Sequence, residues 1–432
     1  MIKVQDGPDT LFYRSNIITA FHVITKTKIK DLSSIKQQIM RNTQGMPEMR
    51  SKLIKVFNNF YYKKLSDEEF EKHLDRAISQ IPDEFKNEQA LLDYLVTNQI
   101  KDLPRDSIQY RVMIKQDFSS DQSVVVFLFY HGLIDGVGCL NLFCALQDEF
   151  DPQNLPFVRQ RSLLESVKRY AACILGIYVH LKYKPQQYRE SQITQIVERN
   201  KPQITLSKDM KVDELKQKIC SRFGCSINDL LLGVCLIAMR DYCLVQNVTD
   251  HTLFEFMMAI NQRSPVNKKS DIRLFNCTIA NQIKIDFACL FNPDLLNVSL
   301  EQQLKESLKL FKDKFQDIRT QDLGLCDITA LKTLVYFLPD ILIETQIEEL
   351  LVHLRRAWSN LNGSPKPLMI GDAYSEKMMF CSYADQYDNM VFNSLSHNGH
   401  LRFSLSTQYL NLDSKKFIQC FDKIIEQLYQ SN

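Results

Sequence analysis

Residues Val124–Phe143 read VVVFLFYHGLIDGVGCLNLF, and the fold turns on how the first part of that stretch ends. The run Val124–Tyr130 is apolar or aromatic throughout, the pattern of a strand covered on both faces rather than one with a wet side. It stops at His131, and Asp135 follows with Gly132, Gly136 and Gly138 around the pair. A core strand does not need such an ending. A neutral imidazole, with an ordinary pKa of about 6.5, accepts a proton from an alcohol at neutral pH. A carboxylate in the turn closed by Gly136 can hold the loop through a salt bridge and keep the ring aimed into a cleft. His131 therefore reads either as a satisfied histidine at a strand end or as a general base.

Outward from this stretch, the 432-residue chain is too long for one simple core, so two lobes are expected. Their bounds are 1–160 for the lobe carrying HxxxDG, 161–203 for a helical crossover and 204–432 for the C-terminal lobe. NIITAFHVITKTK reads as a strand, and SDEEFEKHLDRAISQI opens with a capping pattern at Ser66 and Glu69. NEQALLDYLVTNQI is helical in spacing, and IQYRVMIKQ turns extended. The apolar segment Tyr170–Tyr183 is too short to span a bilayer and reads as a helix packed between the lobes, or as an interfacial one with lysines and Arg169 at its flanks. Beyond it, KVDELKQKICSRFGCSINDLLLGVCLIAMRDYC predicts two helices parted at Phe223–Ser226, with Ser226 placed to cap the second. Strands follow in LFEFMMAIN and NCTIANQIKIDF, then helices over Leu300–Lys314 and much of Asp327–Ala357, alternation in HLRFSLSTQYL and a closing helix over Ser414–Tyr429.

A composition of 45% hydrophobic and 24% charged residues with a formal net charge of +2 is that of an ordinary globular protein and offers nucleic acid no electrostatic footprint. The 12 cysteines lack CxxC pairing and fit reduced, packed thiols, hence an intracellular compartment. MIKVQDGPDTLFYRSN has neither the apolar core of a secretory signal nor the character of a mitochondrial presequence. With 12 glycines and 13 prolines, long helices and few tight hairpins are expected.

YHGLIDG resembles the HHxxxDG motif of the chloramphenicol-acetyltransferase-like superfamily of CoA-dependent acyltransferases and condensation domains. Within it, SINDLLLGVCLIAMRDYC, MAINQRSP and WSNLNGSPKPLMIGDA resemble, in order, segments of the wax ester synthase/diacylglycerol acyltransferases. LPRDSIQYRVMI and SYADQYDNMVFNSLSHNGHLRFSLSTQ also fall in sequence, so the resemblance covers nearly the whole chain. It implies an α/β (α+β) fold of two similar lobes, each a mixed sheet with helices, meeting around a tunnel. It implies transfer of an acyl group, expected to be long-chain, from acyl-CoA to a hydroxyl acceptor such as a fatty alcohol or diacylglycerol. His131 would be the base, with no permanently bound cofactor, no metal and acyl-CoA as co-substrate. Asp135 would be structural and paired with Arg263 in the NQR segment. Asn276 is the candidate donor to the tetrahedral intermediate. Asn228 and Asp229 match the Asn-Asp motif, although Asn228 also reads as a helix cap. Asn360 and the residues 363–367 are expected to shape a loop at the lobe interface, and Gly136 and Gly138 to allow close backbone approach. The implied location is cytoplasmic or peripheral on a membrane or lipid droplet, with mitochondria left open.

The chain departs from the pattern at Tyr130, which stands where the motif has its first histidine, and at RDSIQYR, which replaces a Pro-Leu-Trp segment. The DFGWG motif of the plant-type branch is absent, and no adenylation or carrier segment accompanies a condensation domain. The competing reading is a catalytically silent subunit of this fold, serving as a binding or assembly component.

Overall fold

The structure is a computed structural model and describes residues 2–4, 9, 12–13, 17–56, 59–81, 84–85, 87–99, 103–104, 106–156, 158, 162, 164–165, 167, 191–195, 197, 202–321, 356–384, 389–408 and 410–431. Val124–Tyr130 is the strand its apolar run predicts, and each of its residues is buried. It lies inside a six-stranded sheet with the order Met369–Ile370, Ala373–Ala384, Ile17–Thr25, Val124–Tyr130, Tyr110–Lys115, Ile78–Gln80. Both of its neighbours run antiparallel to it, and the edge strand Ile78–Gln80 is parallel to Tyr110–Lys115. The helix Gly136–Ala145, which follows the His131 turn directly, packs Phe143 edge-on against Phe21 and Phe127.

A second, seven-stranded sheet has the order Thr278–Asp286, Leu253–Asn261, Arg356–Asn362, Asn389–His397, His400–Gln408, Gln203–Leu206, with Met210–Lys211 pairing the other end of His400–Gln408. Its two middle pairings, which join Leu253–Asn261, Arg356–Asn362 and Asn389–His397, are parallel and the outer ones antiparallel, so both sheets are mixed. One face carries Phe254, Phe256, Trp358, Phe392 and Phe403, all in the second core. The helix Ile227–Gln246 covers this face and is buried at every position from Leu230 to Arg240, which is why its sequence lacks a wet stripe. The closing helix Ser414–Gln430 buries Phe417, Phe421, Ile424 and Leu428 and stacks Phe421 on Phe403 at 4.3 Å. A small antiparallel sheet of Ile2–Lys3, Asn59–Lys64 and Ser51–Val56 forms its own ladder and packs Leu53, Phe60 and Tyr62 into the first core.

Three expectations are corrected. The strand Ala373–Ala384, assigned by position to the C-terminal lobe, completes the first sheet along Ile17–Thr25, with Phe380 opposite and stacked on Phe21. Alternation marks a strand but does not name its partner, and here Met378, Phe380 and Cys381 belong to the first core. Arg356 and Ala357 open a strand instead of closing a helix, while 327–355 lies outside the described residues. Asn398 and Gly399, with φ of 50° and 75°, make a tight hairpin between Asn389–His397 and His400–Gln408, the Asn-Gly turn that suits strand twist. The helix expected at Leu300 extends to Gln321. The apolar segment 170–183 and most of the crossover 161–203 lie outside the described residues. Among the described residues no single helix is long and apolar enough to cross a membrane.

Candidate active site

Asp135 is the N-cap of the helix Gly136–Ala145, and its Oδ1 accepts from the Gly138 N–H at 2.8 Å. Its Oδ2 accepts three more bonds, from Arg263 Nη1 at 2.7 Å, the Cys277 N–H at 2.8 Å and Thr278 Oγ1 at 2.8 Å. Burial alone would raise this carboxyl, but Arg263 and the backbone donors of Gly138 and Cys277 hold it below the usual carboxylate range. Arg263 is itself buried, donates through Nη2 to the Phe275 carbonyl and lies over the Phe275 ring. The pairing that the resemblance implies is thus in contact. It ties the turn after one sheet to the loop after Leu253–Asn261 in the other.

His131 leaves the strand with its N–H donating to the Ile17 carbonyl at 2.8 Å. Asn276 Nδ2 donates to the His131 carbonyl at 2.7 Å and to Asp9 Oδ1 at 2.6 Å, and the Asn276 N–H also meets Asp9 Oδ1 at 2.8 Å. The imidazole packs on Phe12 with ring centroids 4.0 Å apart, and its Nδ1 is buried without a hydrogen-bond partner. Burial pushes the ring's pKa below its ordinary value, against the opposite pull of Asp135, its own backbone carbonyl and Asn276. A neutral imidazole at neutral pH follows, the protonation state a base requires.

His131, Asp135, Gly136, Asn276 and Asn360 line one cavity of about 190 Å³ between the two sheets. Its far wall is the second sheet, where Met257, Ala259, Ala357, Leu361 and Val391 make an apolar surface. Gly136 and Val137 also line it. Their N–H groups stand at the first two helical positions, where no intrahelical carbonyl takes them.

Other candidates have different work. Asn276 directs its amide N–H groups to Asp9 and the His131 backbone, so it positions the histidine rather than offering a donor to an intermediate. Tyr130 is buried in the first core, with its hydroxyl donating to the Leu103 carbonyl at 2.7 Å, and does not line the cavity. Gly138 lies behind the site, where a Cβ would meet Ile134 at 2.6 Å and Arg263 Nη2 at 2.9 Å. Ser226, not Asn228, caps the helix Ile227–Gln246, in a capping box with Asp229. Asn228 Oδ1 instead accepts from Trp358 Nε1 at 3.0 Å and Asn360 Nδ2 at 3.1 Å. Asn360 sits in a strand, not a loop, and its Oδ1 accepts from Ser394. Asp9, Phe12 and Thr278 were missed. The first two fall in a short N-terminal stretch with no periodicity, and Thr278 reads only as a strand residue.

Residues 295–429 match the family model described as the WS/DGAT C-terminal domain. Over the whole chain the fold is similar to that of the wax ester synthase/diacylglycerol acyltransferase from Marinobacter aquaeolei VT8, with a TM-score of 0.62 and 14% identity across 100% of this chain and 99% of that one. A trichothecene 15-O-acetyltransferase from Fusarium sporotrichioides gives a TM-score of 0.65 at 11% identity, covering 98% and 94%. The first condensation domain of the calcium-dependent antibiotic synthetase gives 0.61 at 9% identity, covering 100% and 95%. No curated protein sequence matches the chain.

Proposed function

From a chain that carries a WS/DGAT C-terminal domain within the two-lobed fold shared by acyltransferases and condensation domains, we propose an O-acyltransferase that moves an acyl group from acyl-CoA to a hydroxyl acceptor. The observation that carries this reading is one cavity between the sheets, lined by a half-buried His131 whose Nδ1 has no hydrogen-bond partner and by the N–H end of the helix Gly136–Ala145.

His131 takes the acceptor's hydroxyl proton as that oxygen attacks the thioester carbonyl. The new C–O bond puts negative charge on the former carbonyl oxygen, and the Gly136 and Val137 N–H groups supply donors for it at the positive end of a helix. The C–S bond then breaks, the imidazolium returns its proton to the thiolate, and the products are an ester and free CoA. Asp135 does not touch the reacting atoms. Locked by Arg263, Cys277 and Thr278, it fixes the turn that presents His131, and the apolar wall suits an acyl chain.

The test is release of free CoA from a panel of acyl-CoA donors, with long-chain alcohols and diacylglycerol as acceptors, in wild type and His131→Ala. Acceptor-dependent release should fall by about 10² to 10⁴ in the variant. A folded wild type that releases nothing across the panel would replace this reading with that of a binding or assembly component.

A further inference from the structure

The sheet face that forms the cavity wall continues past it, into buried residues that do not line the cavity. On the same face of the second sheet, Asn393 follows Val391, and the neighbouring strand sets Ser406 opposite Val391, Ser404 opposite Asn393 and Arg402 opposite Leu395. Directly opposed residues, and residues two apart along a strand, share a face and lie roughly 4.5 to 7 Å apart. Ser406 therefore borders a cavity-lining residue, with Ser404 and Asn393 one step further on. All four polar side chains are more than nine-tenths buried, and Ser406 Oγ, Ser404 Oγ, Asn393 Oδ1 and Arg402 Nε have no hydrogen-bond partner. Arg402 gives its Nη2 to Glu88 at 2.6 Å, which answers its charge but not its Nε–H. From the first sheet, His22 is buried with both ring nitrogens unpartnered and within the electrostatic reach of Arg402.

Buried polar atoms are normally paired, and each one left unpaired is costly. Six unpaired atoms on five residues in one seam are a poor design for passive packing. Their chemistry also selects a partner. Arg402 Nε and one neutral ring nitrogen donate, Asn393 Oδ1 accepts, and the two serine hydroxyls do both. An anion would meet Asn393 Oδ1 and a cation would meet Arg402, whereas a neutral hydroxyl pairs with either sort.

We propose that this seam is a polar extension of the substrate site that takes a second hydroxyl of the acceptor, so that the acceptor is an apolar-chain diol or polyol rather than a simple fatty alcohol. The proposal rests on the acyltransfer reading for the role of the bound alcohol, but the binding itself can be measured apart from turnover. Decanol, its vicinal diol and glycerol monodecanoate are titrated into the full-length protein by calorimetry without any acyl donor, in wild type, S404A, S406A and the double variant, each checked for an intact melting transition.

One added hydrogen-bonded hydroxyl should tighten binding of the diol or the glycerol ester about tenfold over decanol, and that ratio should fall towards one in the double variant. Equal affinities in wild type, or a preference undiminished in all three variants, would overturn the proposal. CoA release with the same alcohols separates it from the reading beneath it. Release without any preference for the polyols, together with equal binding, removes the seam and keeps acyl transfer. Tighter polyol binding that depends on the serines, without release from any acceptor, keeps the seam and removes acyl transfer.

Discussion

Asp135 and Arg263 are not equal partners. The carboxylate accepts from Gly138, Cys277 and Thr278 as well as from the guanidinium, so it keeps donors when the arginine is lost. Arg263 keeps only the Phe275 carbonyl and its own ring contact, with Nε already unpartnered. Breaking a buried pair from one side costs about 3–5 kcal/mol. Asp135→Asn should therefore destabilise the protein more than Arg263→Met, and the double variant less than the sum of the two, in urea unfolding. Additive losses would mean the pair is not coupled. For His131, burial lowers the pKa, so the acid limb of kcat/KM should fall below the ordinary value of about 6.5. The sequence displayed His131 and Asp135 through their position after an apolar strand, but Arg263 is 128 positions away and entered only through the resemblance. Asn276 entered as a candidate donor to the intermediate; that its amide would be spent on Asp9 and a backbone carbonyl depends on an N-terminal stretch without any periodic signal.

The helix Gly136–Ala145 has to start in a crowded place. At Gly138 a Cβ would lie 2.6 Å from Ile134 Cγ1, 2.9 Å from Arg263 Nη2 and 3.3 Å from Asp135 Oδ1. Alanine is the better helix former by about 1 kcal/mol, yet here the contact outweighs propensity because the arginine is the partner of the cap. Gly138→Ala should lower the urea midpoint and CoA release together, whereas Gly45→Ala, where a Cβ meets nothing within 4 Å, should leave stability unchanged or slightly raised. A Gly138→Ala protein as stable as wild type would show that the cap and arginine can shift without cost. At this scale the sequence was informative about kind and poor about partner. The apolar run, the capping box at Ser66 and the amphipathic closing helix each follow from local spacing. Nothing local in Ala373–Ala384 says that it pairs with Ile17–Thr25 across most of the chain, because hydrogen-bond partners of a strand are chosen by the whole core.

Across the molecule, three buried histidines, His22, His251 and His397, resist protonation, and this sets the response to acid. Burial pushes His22, His251 and His397 each to about 4, against about 6.5 in the unfolded chain. Between those values the unfolded state binds protons that the folded state refuses, so stability is complete above the unfolded value and falls as pH drops through the window. Each of the three is worth about 2 kcal/mol of loss between pH 7 and pH 5. Asp422 acts the other way. Burial raises it to about 6, so the folded state holds its proton more tightly and gains from acid over part of the same range, although partial exposure weakens the effect. These three histidines, with His131 and His73 lowered as well, against Asp422 and the raised Glu48 leave a net loss, a large share of the roughly 5–15 kcal/mol that holds a typical domain together. The urea midpoint should therefore drop sharply from pH 7 to pH 5 with an unchanged slope, and replacing His397 with glutamine should flatten that drop by about a third. A midpoint that does not move over this range would mean that these side chains are protonated in the fold, and that the interior between the sheets is wet.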